Sequence, residues 1–170
     1  MARGDAIAHF DDDDLYSPQY LEFMLSELRH AADRGVLSLP RTPALATLSE
    51  WHLFDALDLA FGWFDPKTDP LVEEGQRECF QYGYGFSYVY TRAAWELAPF
   101  PDVEYAEDGE FSMKLLYKDV PIRLVRTKGI LDGLAAHTYH ADTTSAGEFV
   151  RNVRLGHGVD PPEAFKDLLP

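Results

Sequence analysis

Apolar positions in this chain change period several times, and each change marks an element. Ala6 to Phe10 is a short apolar stretch that runs straight into the aspartates Asp11 to Asp14, with too little alternation for a surface hairpin. It reads as a buried strand that ends in acid. Leu21, Met24, Leu25, Leu28 and Ala32 then recur at helical spacing, with Ser17 as N-cap, Pro18 at the first helical position and Gly35 as terminator. Val36 to Leu39 reads as a further strand. Pro43 to Phe64 is apolar and aromatic without clean periodicity, and is assigned to an irregular strand pair. Asp65 to Gly75, with its prolines and charges, is a loop. Phe86 to Thr91 suggests a strand and Arg92 to Leu97 a short helix. Glu107 to Lys118 predicts a helix with Phe111, Leu115 and Leu116 on one face, acid in its first turn, and Pro121 barring its extension. Ile122 to Val125 and Ile130 to Ala136 read as strands. A polar turn, a helix over about Ala146 to Leu155, and an irregular tail with Pro161, Pro162 and Pro170 complete the chain.

Composition narrows what such a chain does. At 170 residues it is long enough for one cored domain, and 46% hydrophobic with 14% aromatic residues excludes a disordered tract. No internal repeat or linker divides it, so residues 1–170 are read as one domain. Its net charge of −14 repels a phosphate backbone, which argues against nucleic acid as a partner. Cys79, the single cysteine, has no intramolecular disulfide partner, fits a reducing compartment, and is expected as a small buried hydrophobe. No apolar run approaches the roughly 18 residues that span a bilayer, and the N-terminus lacks the basic-then-apolar order of a signal peptide. A soluble, cytoplasmic chain is the expectation.

Three groups of residues carry candidate chemistry. Asp11, Asp12, Asp13 and Asp14 crowd like charges at a strand end, which calls for a cation between them, and hard oxygen ligands suit Mg²⁺ or Mn²⁺. In an extended segment Asp11 and Asp13 share one face, and Asp12 and Asp14 the other. The plainer alternative is a solvated acidic turn before a helix. Glu107 and Asp108 are favoured at a helix start by its dipole alone, yet a carboxylate there can also take a proton from a substrate hydroxyl. The cluster His137, His140, Asp142, Thr143, Thr144 and Ser145 follows an apolar strand, and a histidine from it can complete a metal site or serve structure only.

The order of these pieces is more specific than any one of them. A strand ending in Asp11, Asp12, Asp13 and Asp14, then Leu15, Tyr16 and Pro18, an aromatic and glycine-containing stretch, the pair Glu107 and Asp108 and finally the histidines resembles the nucleotide-sugar glycosyltransferases of the GT-A fold. The resemblance implies an α/β fold, a mixed sheet flanked by helices, corresponding to the C-terminal part of that fold. It runs from about residue 4 to 145, with residues 146–170 a C-terminal helix and tail, and it lacks the family's earlier base-gripping strands. It implies metal ligation by Asp11, Asp13 and His140, the last preferred over His137, and donor binding by Asp11, Asp12 and Asp13. Asp108 matches the family's catalytic base, with Glu107 beside it. Tyr82, Gly83, Tyr84 and Gly85 match the acceptor-side segment, where glycine admits close backbone approach and tyrosine rings can stack on a sugar.

The implied activity is transfer of a sugar from a nucleotide diphosphate donor to an acceptor hydroxyl, inverting and dependent on Mn²⁺ or Mg²⁺. Without the earlier strands, the Ala6 to Phe10 strand is left with an open edge, which invites a homodimer or a separate N-terminal piece. Two other readings stand beside this one: a carbohydrate- or cation-binding remnant of the same fold, and a metal-dependent phosphohydrolase, for which Lys114, Lys118 and Lys128 lack a suitable setting.

Overall fold

The computed structural model describes residues 4–32, 41–103, 105–127, 133–140 and 158–169. The expected strand at Val36 to Leu39, the terminator Gly35, the helix at Ala146 to Leu155 and the cluster Asp142 to Ser145 lie outside the described residues. The fold is α/β, built on two mixed sheets. One has the order β1 (Ala6–Ala8), β6 (Val89–Thr91), β3 (Leu45–Leu48), β7 (Ile122–Val125). The other has the order β2 (Leu15–Tyr16), β8 (Ala135–Tyr139), β4 (Trp51–Asp55), β5 (Ala60–Phe64), β9 (Gly158–Val159). The helices are α1 (Tyr20–Ala32), α2 (Arg77–Tyr82), α3 (Arg92–Leu97) and α4 (Glu107–Tyr117).

Side-chain alternation along β3 makes the first sheet the middle of a sandwich. Ala44, Ala46 and Leu48 join the core formed by Tyr20, Met24 and Leu28 of α1, while Leu45 joins Tyr88, Tyr90, Phe111 and Leu115 under α3 and α4. β1 obeys the same rule with Ala6 and Ala8 on the first side and Ile7 on the second. Its register to β6 is antiparallel, and β6 is its sole strand partner among the described residues, so its outer edge is open there. Burial of Met24 and Leu28 contributes about 1.5–3 kcal/mol each.

Several expectations are corrected. The first helix begins at Tyr20, because the backbone turns tightly after Ser17, whose carbonyl accepts the Tyr20 N–H at 3.0 Å. Ser17 Oγ is buried without a hydrogen-bond partner, so the side chain is not a cap. The buried stripe is Tyr20, Met24, Leu28, Ala31 and Ala32, and Leu21 faces solvent. Pro43 to Phe64 yields β3 and the β4–β5 hairpin, more strand than one pair, and both faces are covered, which is why no clean period shows. The strand expected from Phe86 starts only at Val89, after a tight turn over Gly85–Ser87.

Beyond Pro121 the chain is also more ordered than expected. β8 runs on to Tyr139, which places His137 inside a strand. The tail is ordered too: β9 pairs with β5, and Phe165 is fully buried against Phe54, Phe61 and Ala136. A Cβ on Gly133 would lie 2.6 Å from Pro162 and 2.8 Å from Phe165, so the tail packs directly on the entry to β8. Helices α3 and α4 and strand β7 fall where the pattern placed them. No described helix is long and apolar enough to cross a membrane.

Candidate functional site

Past β1 the chain leaves the sheet and turns, so the aspartates do not alternate as an extended segment would. Asp11, Asp13 and Asp14 converge, each offering a carboxylate oxygen within 4.8 Å of the others, and Asp12 stands outside that group. The expectation that Asp14 points away with Asp12 is therefore corrected: a turn, not a strand, carries the run. Tyr16 fixes the turn. Its hydroxyl accepts the Asp11 N–H at 3.1 Å and donates to the Phe86 carbonyl at 2.8 Å, and its ring packs edge-on against Phe10 and Tyr20.

The three carboxylates sit in different surroundings. Asp14 is wholly buried on its side chain, receives the Thr138 N–H at 2.7 Å and lies 3.1 Å from His137 Nδ1. Burial raises the Asp14 carboxyl above its usual range despite these bonds. Burial lowers His137, but its hydrogen bond to Asp14 and the charges of Asp14, Asp11 and Asp13 outweigh that, and the imidazole is raised overall. Asp13 is more exposed and lies 2.8 Å from His140 Nε2, and Asp11 lies 3.3 Å from His9 Nε2. Sequence reasoning named His137 and His140 and preferred His140, because the expected strand stopped at Ala136, three residues short of the end of β8, and it overlooked His9. Three converging oxygens are a hard donor set that could hold a metal ion. Asp11, Asp13 and Asp14 would hold it, with His140 against Asp13.

A second feature opens beside this corner. A cavity of about 410 Å³ is lined by Asp11, Glu107 and Asp108 and walled by Phe80, Tyr84, Phe86 and Tyr105, with His137 and Cys79 also on its surface. Gly83 and Gly85 line it with Tyr84; Tyr82 is not among the lining residues and instead gives its carbonyl to the Tyr88 hydroxyl. Cys79 is exposed, which corrects its expected burial, because it lies on α2, none of whose residues is buried.

Asp108 is held by backbone alone. Its Oδ2 accepts the Gly85 N–H at 2.7 Å and its Oδ1 the Gly109 N–H at 2.6 Å. A Cβ at Gly85 would lie 2.6 Å from Asp108 Cβ, so the absent side chain is what lets the loop reach the carboxylate. Burial raises the Asp108 carboxyl, and the two N–H bonds only partly offset that. Ala106, just before α4, has φ 61°, a left-handed conformation that a non-glycine residue adopts at a cost of about 1–2 kcal/mol.

The structure therefore brings Asp11 and Asp108 to one cavity and places the converging aspartates at its side. No family model matches the chain, and no curated protein matches it. A half-buried carboxylate with a raised pKa, on the lining of a half-aromatic cavity, suits proton abstraction from a hydroxyl, and adjacent oxygen ligands suit a cation beside it.

Proposed function

We propose that this chain is a metal- and acceptor-binding glycosyltransferase-like protein, in which Asp108 takes a proton from an acceptor hydroxyl as a sugar is transferred from a nucleotide diphosphate. The observation that carries this reading is that Asp11 belongs to the converging carboxylates and also lines the cavity that holds Asp108. A cation site and a candidate base thereby flank one volume. Bound on Asp11, Asp13 and Asp14, Mn²⁺ or Mg²⁺ would supply positive charge to a departing diphosphate. Asp12 is exposed beside that corner and remains a candidate donor contact.

The residues of the chain divide the remaining work. Gly85 and Gly109 fix the Asp108 carboxylate by their N–H groups, so that its remaining lone pairs are presented in one orientation. The Tyr84 ring on the cavity lining is a surface of the kind that packs on a sugar face. Glu107 adds a second carboxylate to the same lining and is a candidate hydrogen-bond acceptor for another acceptor hydroxyl.

The test is turnover of a panel of nucleotide sugars, with Mn²⁺ and with chelator, offered alcohol and carbohydrate acceptors. Release of nucleoside diphosphate that requires Mn²⁺ and disappears in Asp108→Asn supports the reading. Equal release by the variant, or turnover of a simple phosphate ester in place of the sugars, contradicts it.

A further inference from the structure

The cavity beside Asp108 has an unusual balance of chemistry. Its polar side chains include Asp11, Glu107 and Asp108, its walls include Tyr84 and Tyr105, and no described residue that lines it is lysine or arginine. The one lining imidazole, His137, is bonded to the buried Asp14 carboxylate, which balances any positive charge it carries. The chain as a whole carries −14, so the long-range field has the same sign as the local one. An anionic ligand finds no counter-charge here, and a neutral sugar uses the rings but not the charge.

Carboxylates set between aromatic faces are the chemistry that selects a cation with an apolar or polyhydroxyl body. Phe80 and Tyr84 are stacked with centroids 5.7 Å apart, and Tyr84 meets His137 edge-on at 5.6 Å, so these lining rings hold one another in place. Tyr105, 69% exposed, stands on the lining immediately before Ala106 and Glu107. A metal ion on Asp11, Asp13 and Asp14 would neutralise one side of the cavity and leave Glu107 and Asp108 facing the other.

We infer that the cavity selects a hydroxyl-bearing acceptor with a protonated amine, an amino sugar, over its neutral and anionic counterparts. The ammonium sits by Glu107 within reach of the Tyr105 ring, and the sugar body lies along Tyr84. The inference rests on reading this cavity as the acceptor site, and its test uses binding alone so that the two can fail separately.

Ligand-observed NMR on the full chain, without donor or metal and at a pH where the amine is protonated, would compare glucosamine, glucose, N-acetylglucosamine and glucuronate. The expected result is glucosamine binding about tenfold tighter than glucose or N-acetylglucosamine, glucuronate weakest, and the advantage shrinking with added salt. Glu107→Gln and Tyr105→Ala, both at partly or largely exposed positions, should each reduce that advantage while far-ultraviolet circular dichroism stays unchanged. Equal binding of the amine and the neutral sugars, preference for glucuronate, or an amine preference untouched by both substitutions overturns the inference. Selective glucosamine binding by a protein that transfers no sugar would support this inference and count against the transferase reading; transfer to neutral acceptors with no amine preference would do the reverse.

Discussion

Asp14, with a fully covered side chain, and Asp108, half-buried, are both carboxylates whose pKa burial raises, yet they are held in opposite ways. Asp14 is engaged by a side chain, His137, and by the Thr138 N–H across the sheet, so it ties the aspartate turn to β8. Asp108 is engaged only by N–H groups of Gly85 and Gly109 and lies on a cavity wall. The first arrangement holds two segments of chain together; the second aims a base at open space. The two acids thus separate into one whose loss should be felt in folding as well as at the carboxylate corner, and one whose loss should be felt mainly in chemistry.

The sharpest way to break this comparison is to neutralise each acid in turn. Asp108→Asn should lower turnover by about 10³-fold with little change in melting temperature, as steady-state rates beside a thermal melt would show. Asp14→Ala removes the buried carboxylate that engages His137 Nδ1 and the Thr138 N–H and should cost about 3 kcal/mol in a urea titration. Asp13→Asn, at the more exposed carboxylate of the same corner, should stay within about 0.5 kcal/mol in that titration. Gly85→Ala comes next: its methyl group cannot share space with Asp108 Cβ, so turnover should fall by about 10²-fold as the carboxylate shifts.

Smaller effects sharpen the comparison further. Asp108 must be charged to act as a base, and its pKa is raised, so activity should fall on the acid side at a pH above the ordinary carboxylate range. A rate profile whose acid limb lies at the ordinary value would contradict the burial argument. Ala106→Gly removes a left-handed strain and should raise stability by about 1 kcal/mol, read as a small upward shift in melting temperature.

Local patterns made α1, α3, α4 and the aspartate run legible, and distance hid most of the rest. α4 announced itself through Phe111 and Leu115 at helical spacing and acid at its start, and the Asp11 to Asp14 run needed no structure to be noticed. α2 escaped because it buries none of its residues and so carries no apolar stripe. The pairing of Asp14 with His137 joins positions 123 residues apart, which no local period reports. Its one available signal was Thr138 and Tyr139, strand formers that extend β8 past Ala136 and bring His137 into the sheet. Phe80 and Tyr105 enter the cavity from separate loops and helices, so their shared role is visible only in three dimensions.

The most direct measurement of the central claim is anomalous diffraction from a crystal soaked in manganese. The expected result is a single strong peak bounded by carboxylate oxygens of Asp11, Asp13 and Asp14, next to the cavity that bears Asp108. Manganese bound elsewhere, with that corner vacant and its side chains turned to solvent, would contradict it.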